Sequence, residues 1–128
     1  MELITTKICK TSDIGVNDNL FGGVMLSWLD EAGAAYVAKK IHDKNVVTMK
    51  MDEVMFKKPV KVKDLIEIKG EVKKAGVTSV VIVVSAWRIN VNESVHSIRR
   101  SELVCSTEMV FVRIDSDGNK KAIDWNQK

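Results

Sequence analysis

Residues 22–41 read GGVMLSWLDEAGAAYVAKKI, and this stretch decides the fold. Over residues 24–38 the clearly polar side chains are few, namely Ser27, Asp30 and Glu31. A helix that is apolar on nearly every side has to be enclosed by other elements, because it has no face to turn to water. We therefore predict one long helix that begins at Gly22-Gly23, ends near Ile41 and is covered by the rest of the chain.

The middle of this stretch carries almost no side-chain bulk, because it reads Ala32-Gly33-Ala34-Ala35. Inside a helix, Gly33 costs about 1 kcal/mol relative to alanine. That cost is offset if a small residue lets another backbone approach the helix closely. We predict such an approach here, as in a sheet that curls around a thin helix.

Strand-like segments lie on both sides of the helix. One segment, Glu2 to Lys10, precedes it and is followed by a turn-prone region up to Asn19. Alternating or β-branched patterns predict four strands after it, at Val46–Phe56, Leu65–Val72, Val77–Trp87 and Glu102–Ile114. The order predicts an α+β fold, an antiparallel sheet with one helix packed on it.

The connections between these segments are short. Lys73 to Gly76 is predicted to form a tight turn between the second and third of the four later strands. The last strand ends at the turn signal Asp115-Ser116-Asp117-Gly118. Residues 1–128 suit a single domain, and residues 119–128 are expected to form a loose polar tail.

Composition narrows the classes of function. The net charge of +3, from 20 basic and 17 acidic residues, is too small to indicate nucleic-acid binding. No apolar run reaches membrane-spanning length, and the first residues lack a signal-peptide pattern. The two cysteines, Cys9 and Cys105, have no metal-like spacing, so we expect free thiols in the reducing cytoplasm.

Two acidic residues in an apolar helix need separate explanations, because an ionised carboxylate is costly to bury unless it is paired. Asp30 shares a stripe with Gly23 and Ser27 at helical spacing. Glu31 points about 100° away and has another environment. Asp30 is either a catalytic base or a structural acid paired with a lysine on a strand, and the pattern alone leaves both open.

The helix start adds a second candidate feature, because Phe21-Gly22-Gly23 directly precedes the apolar run. The free N–H groups of a helix start form a site for an anion or a developing oxyanion. Glycine there lets a ligand atom come close to the backbone. The alternative is an ordinary helix start after a flexible turn. Together with Asp30, the pattern favours oxyanion donors with a base two turns away.

At these residues the chain resembles a known family. The segment Asn17–Gly33 is similar to the signature of the hexameric bacterial acyl-CoA thioesterases and their two-domain cytosolic animal relatives. Four later segments follow the order found in that family, namely residues 46–48, 56–60, 64 and 76–79. The resemblance extends over roughly Thr6 to Gly118, nearly the whole chain.

The resemblance implies the hotdog fold, in which a curved antiparallel sheet wraps around one long central helix. It also implies that two protomers pair their sheet edges and enclose two active sites at their interface. Members commonly assemble further into a trimer of dimers, although a tetramer or a dimer stays open for this chain.

The resemblance also assigns roles by position. It makes Asp30 the general base or, less often, a nucleophile, and it makes the Gly23 N–H the group that polarises the thioester carbonyl. Asn19 of the other protomer helps to hold the catalytic water or the thioester, although Asn17 is a second candidate for that role. Phe21 and Gly22 are expected at the substrate. No metal or organic cofactor is required.

Coenzyme A carries three phosphate groups, and three basic pairs are candidates to bind them by charge-assisted hydrogen bonds: Lys57-Lys58, Lys73-Lys74 and Arg99-Arg100. Each pair is also typical of an ordinary solvated turn. Thr78 and Ser79 are candidate contacts to the pantetheine or phosphate arm, and plain strand propensity explains them equally.

Two other functions occur on this fold. An acyl dehydratase needs a histidine near the helix, but His42 and His96 both lie away from residues 22–30. A non-catalytic acyl-CoA-binding regulator would carry an added pair of DNA-binding helices, for which the chain has no spare length. We therefore expect an acyl-CoA thioesterase, whose acyl preference the residues do not reveal.

Overall fold

The computed structural model describes residues 1–91 and 101–126. One long helix, α1 (Gly22–Ile41), packs on a five-stranded antiparallel sheet. The strands are β1 (Glu2–Ile8), β2 (Val46–Phe56), β3 (Leu65–Ala75), β4 (Ser79–Ile89) and β5 (Ser101–Arg113). The predicted α+β class and the predicted ends of the helix are confirmed.

The sheet has the order β1-β3-β4-β5-β2, so the two strands that flank α1 in sequence are its two edges. The helix therefore carries the chain from one edge of the sheet across to the other. Among the described residues, no helix combines the length and apolarity needed to cross a membrane.

The core lies between α1 and the sheet. Leu29, Val37 and Ile41 of the helix are buried against β-sheet side chains that include Ile82 and Phe111. The buried helix residues recur at spacings of three and four and therefore form one face: Met25, Trp28, Leu29, Ala32, Gly33, Tyr36, Val37 and Ile41. On the opposite face Ser27, Glu31 and Ala35 are exposed, so the prediction of a helix covered on nearly every side was wrong for a single chain.

Gly33 makes the close approach possible, but a side chain rather than a backbone provides it. A Cβ atom at Gly33 would lie 3.1 Å from both Met109 Sδ and Phe111 Cζ of β5. Both of these side chains are fully buried and cannot move aside freely. The prediction of a neighbouring backbone was wrong, and the small residue instead makes room for a phenylalanine ring.

The hairpin between β3 and β4 is longer than predicted. Lys73 and Lys74 belong to β3 rather than to a turn, because strand pairing continues to Ala75 opposite Val80. A register shift between Val72 and Lys74 introduces a bulge that the sequence pattern did not indicate.

The chain after β5 is held against this hairpin, whereas a loose tail was expected. The Ile123 N–H donates to Val77 O at 2.7 Å, and Trp125 Nε1 donates to Gly76 O at 2.9 Å. The backbone of the β3–β4 turn supplies both acceptors, which a sequence pattern of polar residues does not reveal.

The end of α1 is fixed by a partly buried ion pair. His42 adopts a left-handed conformation that ends the helix, and Asp43 follows it. The carboxylate of Asp43 accepts from Asn45 N at 2.9 Å and from Arg113 Nε of β5 at 2.7 Å. The Asn45 N–H and then the Arg113 guanidinium hold the pKa of Asp43 below its ordinary value.

We expect Gly33→Val to destabilise the fold by roughly 2–3 kcal/mol, because a branched side chain would overpack against Phe111 and Met109. Ala35→Val is the matched control, since Ala35 lies on the exposed side of the same helix turn. Thermal unfolding at equal protein concentration measures both. Equal melting temperatures for the two variants would contradict the packing argument.

We expect Asp43→Asn to lower the melting temperature at pH 7 and to lose this effect in acid. A carboxyl with a depressed folded-state pKa stabilises the fold above its ordinary pKa of 3.8, and this stabilisation disappears as the pH falls through the folded value. Melting curves of wild type and variant should therefore converge below pH 3.8. Asp117→Asn, at an exposed turn position, is the control. A gap that is as large in acid as at pH 7 would refute the ion-pair assignment.

Candidate active site

An open groove of about 410 Å³ runs beside the first turns of α1. It is lined by Gly23, Leu26, Ser27, Asp30, Thr48 and Met51. The helix supplies the first four, and the edge strand β2 supplies the last two. The predicted stripe of Gly23, Ser27 and Asp30 is therefore one wall of a cavity.

Asp30 is partly exposed in this groove, and its Oδ1 accepts a hydrogen bond from Thr48 Oγ1 at 2.6 Å. Within residues 1–91 and 101–126 it forms no ion pair, so the alternative of a structural acid paired with a strand lysine finds no support there. The contact with Thr48 fixes one carboxylate oxygen. Among residues 1–91 and 101–126 no partner binds the other oxygen, so it can meet a water molecule or a ligand.

Two backbone donors are available at the start of α1. Phe21, the N-cap residue, has extended backbone angles and provides no side-chain cap. Among the described residues, neither the Gly22 N–H nor the Gly23 N–H has a hydrogen-bond acceptor. A Cβ atom at Gly23 would lie 2.7 Å from Phe21 Cε2, so a larger residue there would have to displace the exposed ring of Phe21. The site thus pairs free N–H groups with a carboxylate two turns further along the helix.

A second cleft, of about 340 Å³, lies beside the helix start and contains Asn19 and Gly22. Its apolar lining includes Leu20, Met25 and Phe56, and Lys57 and Lys58 also line it. A mainly apolar cleft with a few cationic and amide groups is the usual form of a small-molecule site.

Asn19 and Asp30 line different cavities of one protomer. Asn19 is partly buried, and its Oδ1 accepts a hydrogen bond from Lys61 Nζ, a contact that the sequence did not predict. Asn17, the second candidate, is exposed. The structure of one chain therefore does not bring the predicted base and the predicted asparagine together.

Of the other predicted substrate contacts within the described residues, one pair of lysines lines a cavity and the remaining four residues do not. Lys57 and Lys58 line the cleft of Asn19, and Lys58 Nζ lies 3.8 Å from a Glu102 oxygen. Lys73 pairs with Glu108 at 2.6 Å. Outside both cavities lie Lys73, Lys74, Thr78 and Ser79. Arg99 and Arg100 fall outside the described residues, and so does His96.

Sequence reasoning missed two residues of this site, Thr48 and Lys61. Thr48 occurs in a segment that follows the family's order, but a strand pattern alone does not show that its hydroxyl reaches Asp30. Lys61 lies in a loop with no regular pattern. In the part of the chain that the structure describes, no group of three or more His, Cys, Asp or Glu residues is placed to hold a metal ion.

Comparison with known proteins gives the family. The model of the thioesterase superfamily matches residues 17–95, well over half of the chain. The chain belongs to the thioesterase superfamily. This thioesterase is 32% identical over 123 residues to an uncharacterized acyl-CoA thioester hydrolase of Haemophilus influenzae, a match that covers 94% of this chain and 77% of the relative.

Solved structures agree with this assignment. A hexameric hotdog fold thioesterase of Campylobacter jejuni superposes with a TM-score of 0.84 at 31% identity, covering 97% of this chain and 91% of that one. An acyl-CoA hydrolase of Staphylococcus aureus, solved with butyryl coenzyme A, coenzyme A and coenzyme A disulfide, gives 0.82 at 26% identity, covering 93% and 69%. The S. aureus enzyme has also been solved with one asparagine and, separately, one aspartate replaced by alanine.

These matches confirm the predicted family, the hotdog fold and the enzyme class. The thioesterase is a thioester hydrolase in which α1 is the central helix and the five strands form the curved sheet. The roles of individual residues stay predictions.

We expect Thr48→Val to lower kcat for thioester hydrolysis by about 10-fold, because Asp30 would lose the hydroxyl that fixes one of its oxygens. Thr48→Ser keeps the hydroxyl and should stay within a few-fold of wild type. Steady-state kinetics of the two variants test this. Full activity in Thr48→Val would show that the hydrogen bond does not matter for Asp30.

Proposed function

We propose that the thioesterase hydrolyses acyl-CoA to a carboxylic acid and coenzyme A, in active sites shared between two protomers. Asp30 is the general base, and the Gly23 N–H polarises the thioester carbonyl. Asn19 of the partner subunit helps to hold the water or the thioester. The acyl-CoA substrate is supported by relatives that are acyl-CoA thioester hydrolases and by the coenzyme A complexes of the S. aureus enzyme.

One observation carries this proposal. The groove of one protomer combines a free N–H at Gly23 with a carboxylate at Asp30, yet Asn19 lines a separate cleft. A base and an oxyanion donor therefore come from one chain. The separate cleft of Asn19 supports a site in which the amide comes from a second copy, so that all three groups act on one thioester.

The chemistry needs no further group. The water oxygen attacks the carbonyl carbon, and the Asp30 carboxylate takes the water proton. The carbonyl oxygen becomes an oxyanion that accepts from the Gly23 N–H, a contribution of about 10²–10³-fold for one donor. The C–S bond then breaks, and the leaving sulfur takes the proton back from Asp30. Coenzyme A is released as the free thiol. This route uses neither a metal nor an organic cofactor.

The spacing of the replaced residues in the S. aureus enzyme, together with a loop contact in this chain, supports Asn19 as the asparagine. In the S. aureus enzyme, the asparagine and the aspartate that were replaced stand fifteen positions apart. Fifteen positions before Asp30 this chain has Gly15, and the asparagines that follow are Asn17 and Asn19. The Gly15 N–H donates to Asn19 O at 2.8 Å, so position 19 lies directly across a tight loop from position 15.

The assembly is proposed to be a trimer of dimers, as hexamers are known among the similar thioesterases. The edge strand β2 supports pairing between protomers, because Val47, Met49 and Met55 on it are exposed apolar side chains. An edge strand with unpaired backbone groups and apolar side chains is a site for a partner strand. This edge also carries Thr48, so pairing there would enclose the groove of Asp30.

Lys57 and Lys58 are the pair proposed to meet the coenzyme A phosphates, since they line the cleft of Asn19. We place the reaction in the cytoplasm. Cys9 and Cys105 are unpaired and buried, which suits a reducing compartment.

Mixed oligomers test the shared site. We expect Asn19→Ala and Asp30→Ala each to lose activity, by about 10²–10⁴-fold where the base is removed. A mixture refolded at a 1:1 ratio should recover about a quarter of the wild-type rate, because half of the dimers are mixed and each has one intact site. The measurement is release of the coenzyme A thiol from a panel of acyl-CoA substrates.

Three controls make this result interpretable. Light scattering has to show the same assembly for all samples, and mass spectrometry of differently labelled subunits has to show exchange. Asn17→Ala should stay active. Inactive mixtures despite confirmed exchange would refute the shared site. Tight acyl-CoA binding without turnover in the wild type would favour a regulator instead.

A further inference from the structure

Lys61 is joined to Asn19 by a side-chain contact between two loops. Its Nζ donates a hydrogen bond to Asn19 Oδ1. The backbone makes a parallel connection next to it, because the Leu20 N–H donates to Val60 O at 2.7 Å. Two hydrogen bonds, one from a side chain and one from the backbone, therefore join the loop of Asn19 to residues 60–61.

The loop around Lys61 is itself attached to the sheet by Arg88, a partly buried arginine of β4. Asp64 Oδ2 accepts from the Lys61 N–H at 2.8 Å. Arg88 of β4 donates to the same Asp64 oxygen at 3.2 Å and to Pro59 O at 2.7 Å. Glu102 holds the far side of the guanidinium at 2.8 Å, and the Arg88 side chain is only 18% exposed. The backbone at Lys61 is thus tied to the sheet.

The contact with Lys61 decides which end of the Asn19 amide is free. A lysine ammonium has three donors and no acceptor. Only the carbonyl end of the amide can face it, so the NH₂ end points away from Lys61. In an asparagine without such a neighbour, the two ends can exchange by rotation of the side chain.

We propose that Lys61 is a positioning residue of the active site, an inference that rests on the function proposed above. It holds the carbonyl end of Asn19, so that the amide presents its N–H donors to the bound thioester or water. Asp64 and Arg88 keep Lys61 in place. Asn19 therefore acts as a hydrogen-bond donor in catalysis, because Lys61 occupies its carbonyl end and leaves both N–H groups of the amide free to turn to the substrate.

The test compares three variants of the full-length oligomer. Lys61→Met should lower kcat roughly 10-fold, and up to about 100-fold, with little change in KM, because a misplaced group impairs the reacting geometry. Lys61→Arg also carries only donors and should restore most of the rate. Lys63→Met changes an exposed lysine of the same loop and should behave as wild type.

A double-mutant cycle separates positioning from direct substrate binding. In the Asn19→Ala background, Lys61→Met should have no further effect on kcat, since the residue it positions is gone. Asn19→Asp should be as inactive as Asn19→Ala, because a carboxylate can still face Lys61 but has no donor. Additive effects of the two substitutions on kcat would overturn the proposal. A KM that rises for acyl-CoA but not for acyl-pantetheine would also overturn it, because Lys61 would then be a phosphate ligand.

The outcomes also distinguish this inference from the proposed function. Low activity in Asn19→Ala with full activity in Lys61→Met would overturn the positioning role and leave the proposed function intact. Full activity in Asn19→Ala would overturn both roles. Melting curves and light scattering of Lys61→Met have to match those of Lys63→Met, so that a folding defect is not mistaken for lost positioning.

Discussion

The close packing of one face of α1 against the sheet is the constraint on which the rest of the structure depends. The buried residues of the helix recur at spacings of three and four from Met25 to Ile41, so the sheet holds one face of the helix along most of its length. Gly33 allows this, because it leaves room for Phe111 and Met109 of β5 directly against the helix. A helix held so closely cannot shift along its axis without disturbing the core. The residues at its start are therefore fixed in position relative to the sheet.

The groups that we propose to be catalytic lie at the margin of this packed face. Gly22 and Gly23 are at the first turn, where a helix has N–H groups without internal acceptors. Asp30 is near the middle of the helix, on the side that faces the edge strand β2, and Thr48 of that strand binds it. Because an edge strand has one side without a partner strand, the same edge can orient the carboxylate and pair with a second protomer. This links the assembly to the chemistry.

The loop between β2 and β3 has a comparable role on the other side of the helix start. It contains no regular secondary structure, yet it is bound to β4 through Arg88 and to the end of β1 through the Cys9–Asp64 backbone contact at 3.0 Å. Because the loop backbone is tied to two strands, Lys61 has a fixed starting point from which its exposed side chain reaches Asn19. Rigid support of this kind is what an asparagine needs if it is to orient a substrate rather than merely touch it.

The amino-acid sequence by itself determined the long helix, its ends and the alternation of the strands, because apolar periodicity and helix-start signals are local. It also determined the family, and with it the enzyme class, because the segment Asn17–Gly33 is long and specific. The hydrogen bonds of Asp30 with Thr48 and of Asn19 with Lys61 join residues 18 and 42 positions apart, and only the tertiary structure decided them. The extra length of the β3–β4 hairpin and the docking of Trp125 on it were decided in the same way, because both depend on backbone groups that become neighbours only when the sheet has formed.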